Sequence, residues 1–263
     1  MWCKVMISSF FVESLQKQSL LIHGTSPRYF EMKEGVRESF CPPENDNGEL
    51  FREHQKLFLQ SLGIEREDLF RVRQVHGNQV YVLTDAKIIV DGVRHQEADA
   101  IVTHLPDCPI MILTADCVPI IIYDPVNHVV GVVHAGRVGT EKRIFSNVIE
   151  VVGREYGSRP RDLIVSMGPA IGGCCYEVDE PCALPFIERS SVDSGFVVKA
   201  GAGKFFIDLP EANRQEGCEA GILKENIYTD GPCTSCDNHR WYSYRKEGKT
   251  GRLMTLAMLR PRR

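Results

Sequence analysis

Apolar and β-branched residues recur along this chain in short, nearly continuous runs rather than in strict alternation with polar ones. The clearest are Val80 to Leu83, Pro109 to Leu113, Val118 to Tyr123, Val129 to Val133, Leu163 to Met167 and Arg252 to Leu259. Such runs predict strands buried on both faces, because a strand with one wet face would carry a polar residue at every second position. Between them the spacing turns helical. Leu50, Phe51, Leu57, Phe58 and Leu62 share one face of a helix stopped by Gly63, and Ile144, Phe145, Val148, Ile149 and Val152 share one face of a second, with Thr140 as its N-cap. Phe205 to Leu209 reads as a strand entering a helix that has Pro210 near its start. Toward the N-terminus, Phe10-Phe11-Val12 and Leu20-Leu21-Ile22 predict short strands, 23–28 a turn, and the breaker-rich stretch 41–48 a loop suited to a flap. Leu69 to Val75 alternates weakly. The expected architecture is α/β: mixed, largely buried β-sheets flanked by helices, in a single domain over residues 1–263.

The runs 118–123 and 129–133 flank Asp124-Pro125-Val126-Asn127, turn chemistry that predicts a β-hairpin. With Tyr123 opposite His128, the ladder carries forward to Cys117 opposite His134, on one face and with Cβ atoms about 4.5–5.5 Å apart. A slip of one residue would separate them onto opposite faces. His76, at a strand end beside Gly77, reads alone as a hydrogen-bonded structural histidine. Beyond His134 comes the small, flexible stretch Ala135-Gly136-Arg137-Val138-Gly139, where a helix N-terminus with Arg143 in its first turn would suit an anion as well as it would an ordinary βα connection.

Composition narrows the function classes. A formal net charge of −4 gives no electrostatic reason to expect nucleic acid, and the basic tail from Arg260 to Arg263 reads as a solvated end. No stretch is long enough to span a bilayer, and the run 5–12 lacks the features of a signal peptide, so a cytoplasmic setting with reduced thiols is expected. The ten cysteines are scattered, so each must be core filler, ligand or nucleophile. Cys174 and Cys175 read as mainly structural, because neighbouring side chains diverge in an extended chain. The Cys233-x-x-Cys236-x-x-His239 spacing suggests zinc, but a structural ion wants four ligands and no second pair accompanies it. These thiols read first as pocket-wall or redox-sensitive groups. Nothing in the chain sets an oligomeric state.

Cys117 and His134 admit two chemistries. With a third donor they would hold Zn²⁺ with one position open, lowering the pKa of a water toward neutrality. Alternatively Cys117 is a nucleophile with His134 as its base, a metal-free hydrolase or deamidase; Asp116, next in sequence to Cys117, should point the other way and is a poor third member.

Six ordered segments then bear on the choice: Gln74-Val75-His76-Gly77, Ala98-Asp99-Ala100, Thr114 to Pro119, Val132 to Gly136, Gly168 to Val178, and Tyr242-Ser243-Tyr244-Arg245. Together they closely resemble the YfiH family, called laccase-domain or polyphenol oxidoreductase proteins and also purine nucleoside phosphorylases. The resemblance implies an α/β fold, a zinc site of His76, Cys117 and His134, and phosphorolysis of adenosine, inosine, guanosine and methylthioadenosine with adenosine deamination beside it. The partners would be a purine nucleoside and phosphate. Arg28, Arg143 and Arg245 are the candidate phosphate cations, because guanidinium forks match phosphate oxygens, and Tyr176 and Tyr244 the candidates to stack on the base. Three positions depart from the family pattern: Arg137-Val138 replaces Trp-Arg, Ser26-Pro27-Arg28 lacks the glycines that usually follow, and His54-Gln55 stands where Asn-Arg commonly opens a helix. A copper-dependent polyphenol oxidase is chemically unattractive, since only one Cys-His₂ set is available. The departures also leave room for an inactive binding protein.

Overall fold

The computed structural model describes residues 7–31, 37–41, 48–86, 96–189 and 195–262. Most of the predicted 41–48 flap and the start of the apolar run 5–12 lie outside the described residues. In chain order, helix α1 (Glu13–Gln16) is followed by strands β1 (Leu21–Thr25), β2 (Tyr29–Glu31) and β3 (Arg37–Ser39), then α2 (Glu49–Ser61). Strands β4 (Val80–Leu83), β5 (Ala100–Thr103), β6 (Ile110–Thr114), β7 (Val118–Asp124) and β8 (Val129–Ala135) lead to α3 (Arg137–Glu141) and α4 (Ile144–Tyr156). Next come β9 (Ile164–Met167), β10 (Glu177–Asp179), α5 (Glu180–Arg189), β11 (Val197–Gly201), β12 (Lys204–Ile207) and α6 (Leu209–Glu219). The last elements are β13 (Ile227–Tyr228), α7 (Tyr244–Glu247) and β14 (Leu253–Leu259).

A six-stranded mixed sheet, ordered β13-β9-β7-β8-β5-β4, is antiparallel at its centre and parallel at both edges. An antiparallel sheet β1-β14-β6 lies against it. Alternation along β7 explains the stacking. Val118, Ile120 and Ile122 join a core with Ile144, Phe145 and Val148 of α4 and Leu209 and Ala212 of α6. Ile121 and Tyr123, with Val130 and Val132, meet Ile110, Ile112, Ala257 and Leu259 of the second sheet. The far face of that sheet, through Met111, Met254, Leu256 and Met258, receives Phe51, Phe58 and Leu59 of α2. The order is therefore helix, sheet, sheet, helix. Every residue of β7 and β8 is buried, as their continuous apolar sequences require. Among the described residues, no helix is long and apolar enough to cross a membrane.

Several boundaries differ from the sequence reading. His23 to Thr25 continue β1 instead of turning, because β14 supplies partners as far as Thr25↔Thr255. Of Phe10-Phe11-Val12 only Phe10 is bridged, to Thr25, and the Leu69–Val75 stretch makes isolated bridges at Phe70 and Arg73. Thr140 does not cap a long helix: it lies inside α3, where its hydroxyl accepts from Asn213 Nδ2 at 3.0 Å, and left-handed Arg143 (φ +60°) opens α4. The hairpin register also differs. Asp124 accepts from the backbone of Val126 and Asn127 (2.8 and 3.0 Å) and His128 turns left-handed, so the loop is Pro125 to His128 and Asp124 pairs with Val129. His134 consequently pairs with Pro119, and the register has moved by two residues. An even shift preserves the face, so Cys117 and His134 still meet, as diagonal neighbours.

Phe58 is fully buried between α2 and the second sheet, edge-on to Phe40 at 6.3 Å. Phe58→Ala is expected to cost about 3–5 kcal/mol, read as a lower denaturant midpoint at unchanged slope.

Candidate metal centre and cleft

Three chain segments converge at the open end of the β7–β8 hairpin. Cys117 stands just before β7, His134 near the end of β8, and His76 in the turn that precedes β4. Their ligand atoms all lie within 4.8 Å of one another. The two imidazoles meet edge-on, with centroids 4.8 Å apart at 79°. His134 is buried and His76 is exposed, so the group has a closed side and an open one.

Asp99, fully buried just before β5, organises this convergence. Its carboxylate accepts the backbone N–H groups of Val75 (3.2 Å), His76 (3.0 Å) and Gly77 (2.6 Å), and its Oδ1 accepts His134 Nδ1–H at 2.8 Å. His76 has φ +57°, a strained value for a side chain with a Cβ, and the row of N–H bonds to Asp99 holds it there. Because Nδ1 is engaged, Nε2 of His134 is the nitrogen left toward Cys117. Burial pushes the Asp99 carboxyl up, but the bonds from His134, Gly77 and Val75 outweigh it and keep its pKa below the usual value. Burial likewise pushes the Cys117 thiol up, yet the imidazoles of His134 and His76 bring it down to about 6. Burial lowers His134, and its thiolate and carboxylate neighbours reverse this, raising it to about 9. Room for the sulfur comes from Gly136, where a Cβ would stand 2.8 Å from Cys117 Sγ.

The donors fit a small tetrahedral ion. Two imidazoles and a thiolate are typical of a zinc site with one open position, and the Asp99–His134 bond is the outer support such ligands use. His76, Cys117 and His134 sit in a cleft of about 610 Å³. Its walls carry Arg73, Arg137, Arg245 and Arg252 as cations, Tyr176 and Tyr244 as aromatics, and Leu113, Ile171 and Leu209 as apolar surface. A larger groove of about 1020 Å³ beside Ile64 and Arg260 contains none of the three donors.

Of the residues expected from the sequence, Tyr176, Tyr244 and Arg245 reach this cleft, with the Arg245 guanidinium over the Tyr176 ring at 4.9 Å. Arg28 and Arg143 lie outside its lining. Arg28 is tied to Asn238 O (2.8 Å) and Glu247 Oε1 (2.7 Å) and lies over Tyr242, while Arg143 pairs with Glu219 at 3.1 Å because α3 intervenes between it and His134. The departures from the family pattern fall in two classes. Arg137 and Val138 line the cleft, whereas His54 is a core residue whose Nδ1 accepts from the Cys41 backbone at 3.0 Å. Asp99 stands in the sequence only as part of the Ala98-Asp99-Ala100 segment, with no role of its own, and a carboxylate between alanines at the mouth of an apolar strand is the signal of that role. Asp116 lines the same cleft as Cys117, but its carboxylate is engaged elsewhere than His134. Left-handed at φ +85°, it accepts from Thr234 Oγ1 and from the backbone N–H of Arg245, both at 2.6 Å, and so anchors the start of α7 at the cleft.

The second group of potential ligands among the described residues is Cys174, Cys175, Cys233 and Cys236. Cys174 and Cys175 do not diverge, because residues 173–175 form a turn in which Gly172 O accepts from Cys175 and Tyr176, leaving the two sulfurs 3.8 Å apart. None of the four lines the cleft, contrary to the pocket-wall reading. His239 stands outside the group, paired with Asp237 at 2.9 Å.

The chain is similar to known proteins along most of its length. A purine nucleoside phosphorylase from Bacteroides thetaiotaomicron is 29% identical over 256 residues, covering 94% of each chain. Adenosine deaminase RL5, from an unknown prokaryotic organism, is 35% identical over 224 residues, covering 82% of this chain and 85% of its own. The crystal structure of the Bacillus licheniformis hypothetical protein YfiH superposes with a TM-score of 0.83 at 27% identity, covering 96% of this chain and 97% of that one. The family model described as multi-copper polyphenol oxidoreductase laccase matches residues 26–260, the span that holds both the hairpin and the cleft walls. On that match, and on the fold it shares with YfiH, the chain belongs to the YfiH-type, laccase-domain family.

Proposed function

We propose that this protein is a zinc-dependent purine nucleoside phosphorylase that also deaminates adenosine. The observation that carries the reading is the Cys-His₂ donor set at a cleft whose walls combine guanidinium groups with tyrosines. That is the pairing a nucleoside and an inorganic phosphate require: flat aromatic surface for a base and forked donors for an oxyanion. Relatives named for both activities support it.

His76, Cys117 and His134 would hold the ion, and zinc so held supplies a water activated near neutral pH for attack at C6 of adenosine. Phosphorolysis needs the phosphate oxygen aimed at C1′ while the purine leaves, through an oxocarbenium-like transition state. Arg137, Arg245 and Arg252 are the cations positioned to orient that anion, in place of Arg28 and Arg143. Arg137 is half engaged by Glu141 at 2.9 Å, and Arg245 is steadied by the Glu177 carbonyl. Tyr244, the more exposed aromatic, is free to meet a base, while Tyr176 already carries Arg245 on its ring. A multi-copper site is disfavoured by the donors: among the described residues His76 and His134 are the histidines that share a ligand group. His23, His54 and His128 instead bond backbone atoms of Val12, Cys41 and Arg260.

The Cys117–His134–Asp99 alignment also suits a thiol nucleophile, and this is the reading to test against. Adenosine should release adenine only with phosphate present, and Cys117→Ala should lose both the zinc held with His76 and His134 and turnover. Adenosine cleavage by chelator-stripped protein at full rate would instead favour the nucleophile. Asp99→Asn, which cannot accept all four bonds, should weaken zinc binding or activity by about 10- to 100-fold. Arg245→Ala should raise the KM for phosphate by about 10- to 100-fold, with a smaller effect on deamination. In metal-free protein the thiolate forms as pH rises, so alkylation of Cys117 should increase with a midpoint near pH 6, and His134→Ala should move that midpoint upward.

A further inference from the structure

We infer that Cys174, Cys175, Cys233 and Cys236 form a second metal site, a tetrathiolate that binds one zinc ion and fastens the outer wall of the cleft. The proposal is independent of the function assigned to the first site.

The geometry is that of one shared ligand. Tetrahedral zinc with bonds of about 2.3 Å places its sulfurs about 3.8 Å apart. Here Cys174 and Cys175 are 3.8 Å apart, Cys174 and Cys236 3.5 Å, and Cys175 and Cys236 3.4 Å, with all four sulfurs within 4.8 Å. Three sulfurs at nearly equal separations point to a common centre rather than to one bonded pair, which would need about 2.05 Å. A multi-iron cluster would spread its thiolates more widely than this.

The backbone is shaped for the same end. Cys233-Thr234-Ser235-Cys236 is a CxxC turn, and Cys233 Sγ accepts the Gly172 N–H at 3.3 Å. Backbone donors aimed at sulfur favour the thiolate that metals bind. The opposing pair comes from the turn at 173–175, which brings adjacent cysteines together. The two segments are already stitched by Ala170 N–H to Pro232 O at 3.2 Å and Thr234 N–H to Ala170 O at 2.9 Å.

The location gives the site its consequence. One segment continues into Tyr176; the other, through Thr234, holds Asp116, which in turn holds the Arg245 backbone. A metal joining them would fix the aromatic and cationic wall without touching substrate. Binding deprotonates the thiols, whose protons pass to solvent.

The test removes the first site so that only the second can report. His76→Ala/Cys117→Ala protein, purified under reducing conditions with zinc supplied, should retain one zinc per chain. The same chain carrying Cys174→Ser and Cys236→Ser should retain none. Cobalt in the His76→Ala/Cys117→Ala protein should give the strong near-ultraviolet sulfur charge-transfer band of four thiolates, a readout that needs no further variant to fold. Adding zinc to that protein after stripping should raise its melting temperature. Reduced His76→Ala/Cys117→Ala protein that binds neither zinc nor cobalt overturns the proposal, as does intact-mass evidence that the four cysteines pair as disulfides and take up no metal after reduction.

Discussion

The Asp99 carboxylate is the constraint on which the centre rests. A fully buried carboxylate costs several kcal/mol unless its oxygens are paired, and here three backbone N–H groups and one imidazole meet them. That set of bonds joins three separate pieces of chain: the 75–77 turn, the entry to β5 and the end of β8. It settles the left-handed His76 backbone and selects the His134 tautomer together. The residue doing most to shape the metal centre therefore has no need to touch the metal.

Around that carboxylate, rigid and adjustable parts are divided. Cys117 and His134 hang on a hairpin buried between α4 and the second sheet, so their separation is set by strand geometry. His76 and the cleft walls come from turns and short helices. These are held by single polar residues, Asp99 on one side and Asp116 on the other. The arrangement places two of the three donors on the buried hairpin and leaves substrate-facing groups on segments whose side chains can vary without disturbing the core.

Apolar runs and helical spacing were enough to find the central strands and both long helices, because burial on two faces leaves a continuous apolar signature that few other structures share. The meeting of Cys117 with His134 was legible too, and survived a register error of two residues since side chains alternate with period two. Other features rested on contacts distant in sequence. That His23 to Thr25 would extend β1 depended on β14, more than two hundred residues away. Arg143 left the cleft because a short helix, α3, formed where Thr140 had suggested a cap. Cys174 and Cys175 would diverge in extended chain, and only the turn closed on Gly172 O brings their sulfurs together. The signal of Asp99, a carboxylate at the mouth of an apolar strand, says nothing of its partners, since three of its four bonds go to backbone groups that any residue possesses.

Gly136 shows how a position can belong to a metal centre by what it omits. Its backbone angles, φ −76° and ψ 175°, are open to any residue, so conformational freedom is not the reason for glycine here. The missing methyl is the volume occupied by the Cys117 sulfur, with the His76 ring next nearest at 3.4 Å from where that carbon would be. The two positions thus form one steric unit, and they should covary: a relative that replaces the thiol with a smaller group is released from the glycine as well, whereas one that keeps the thiol is not.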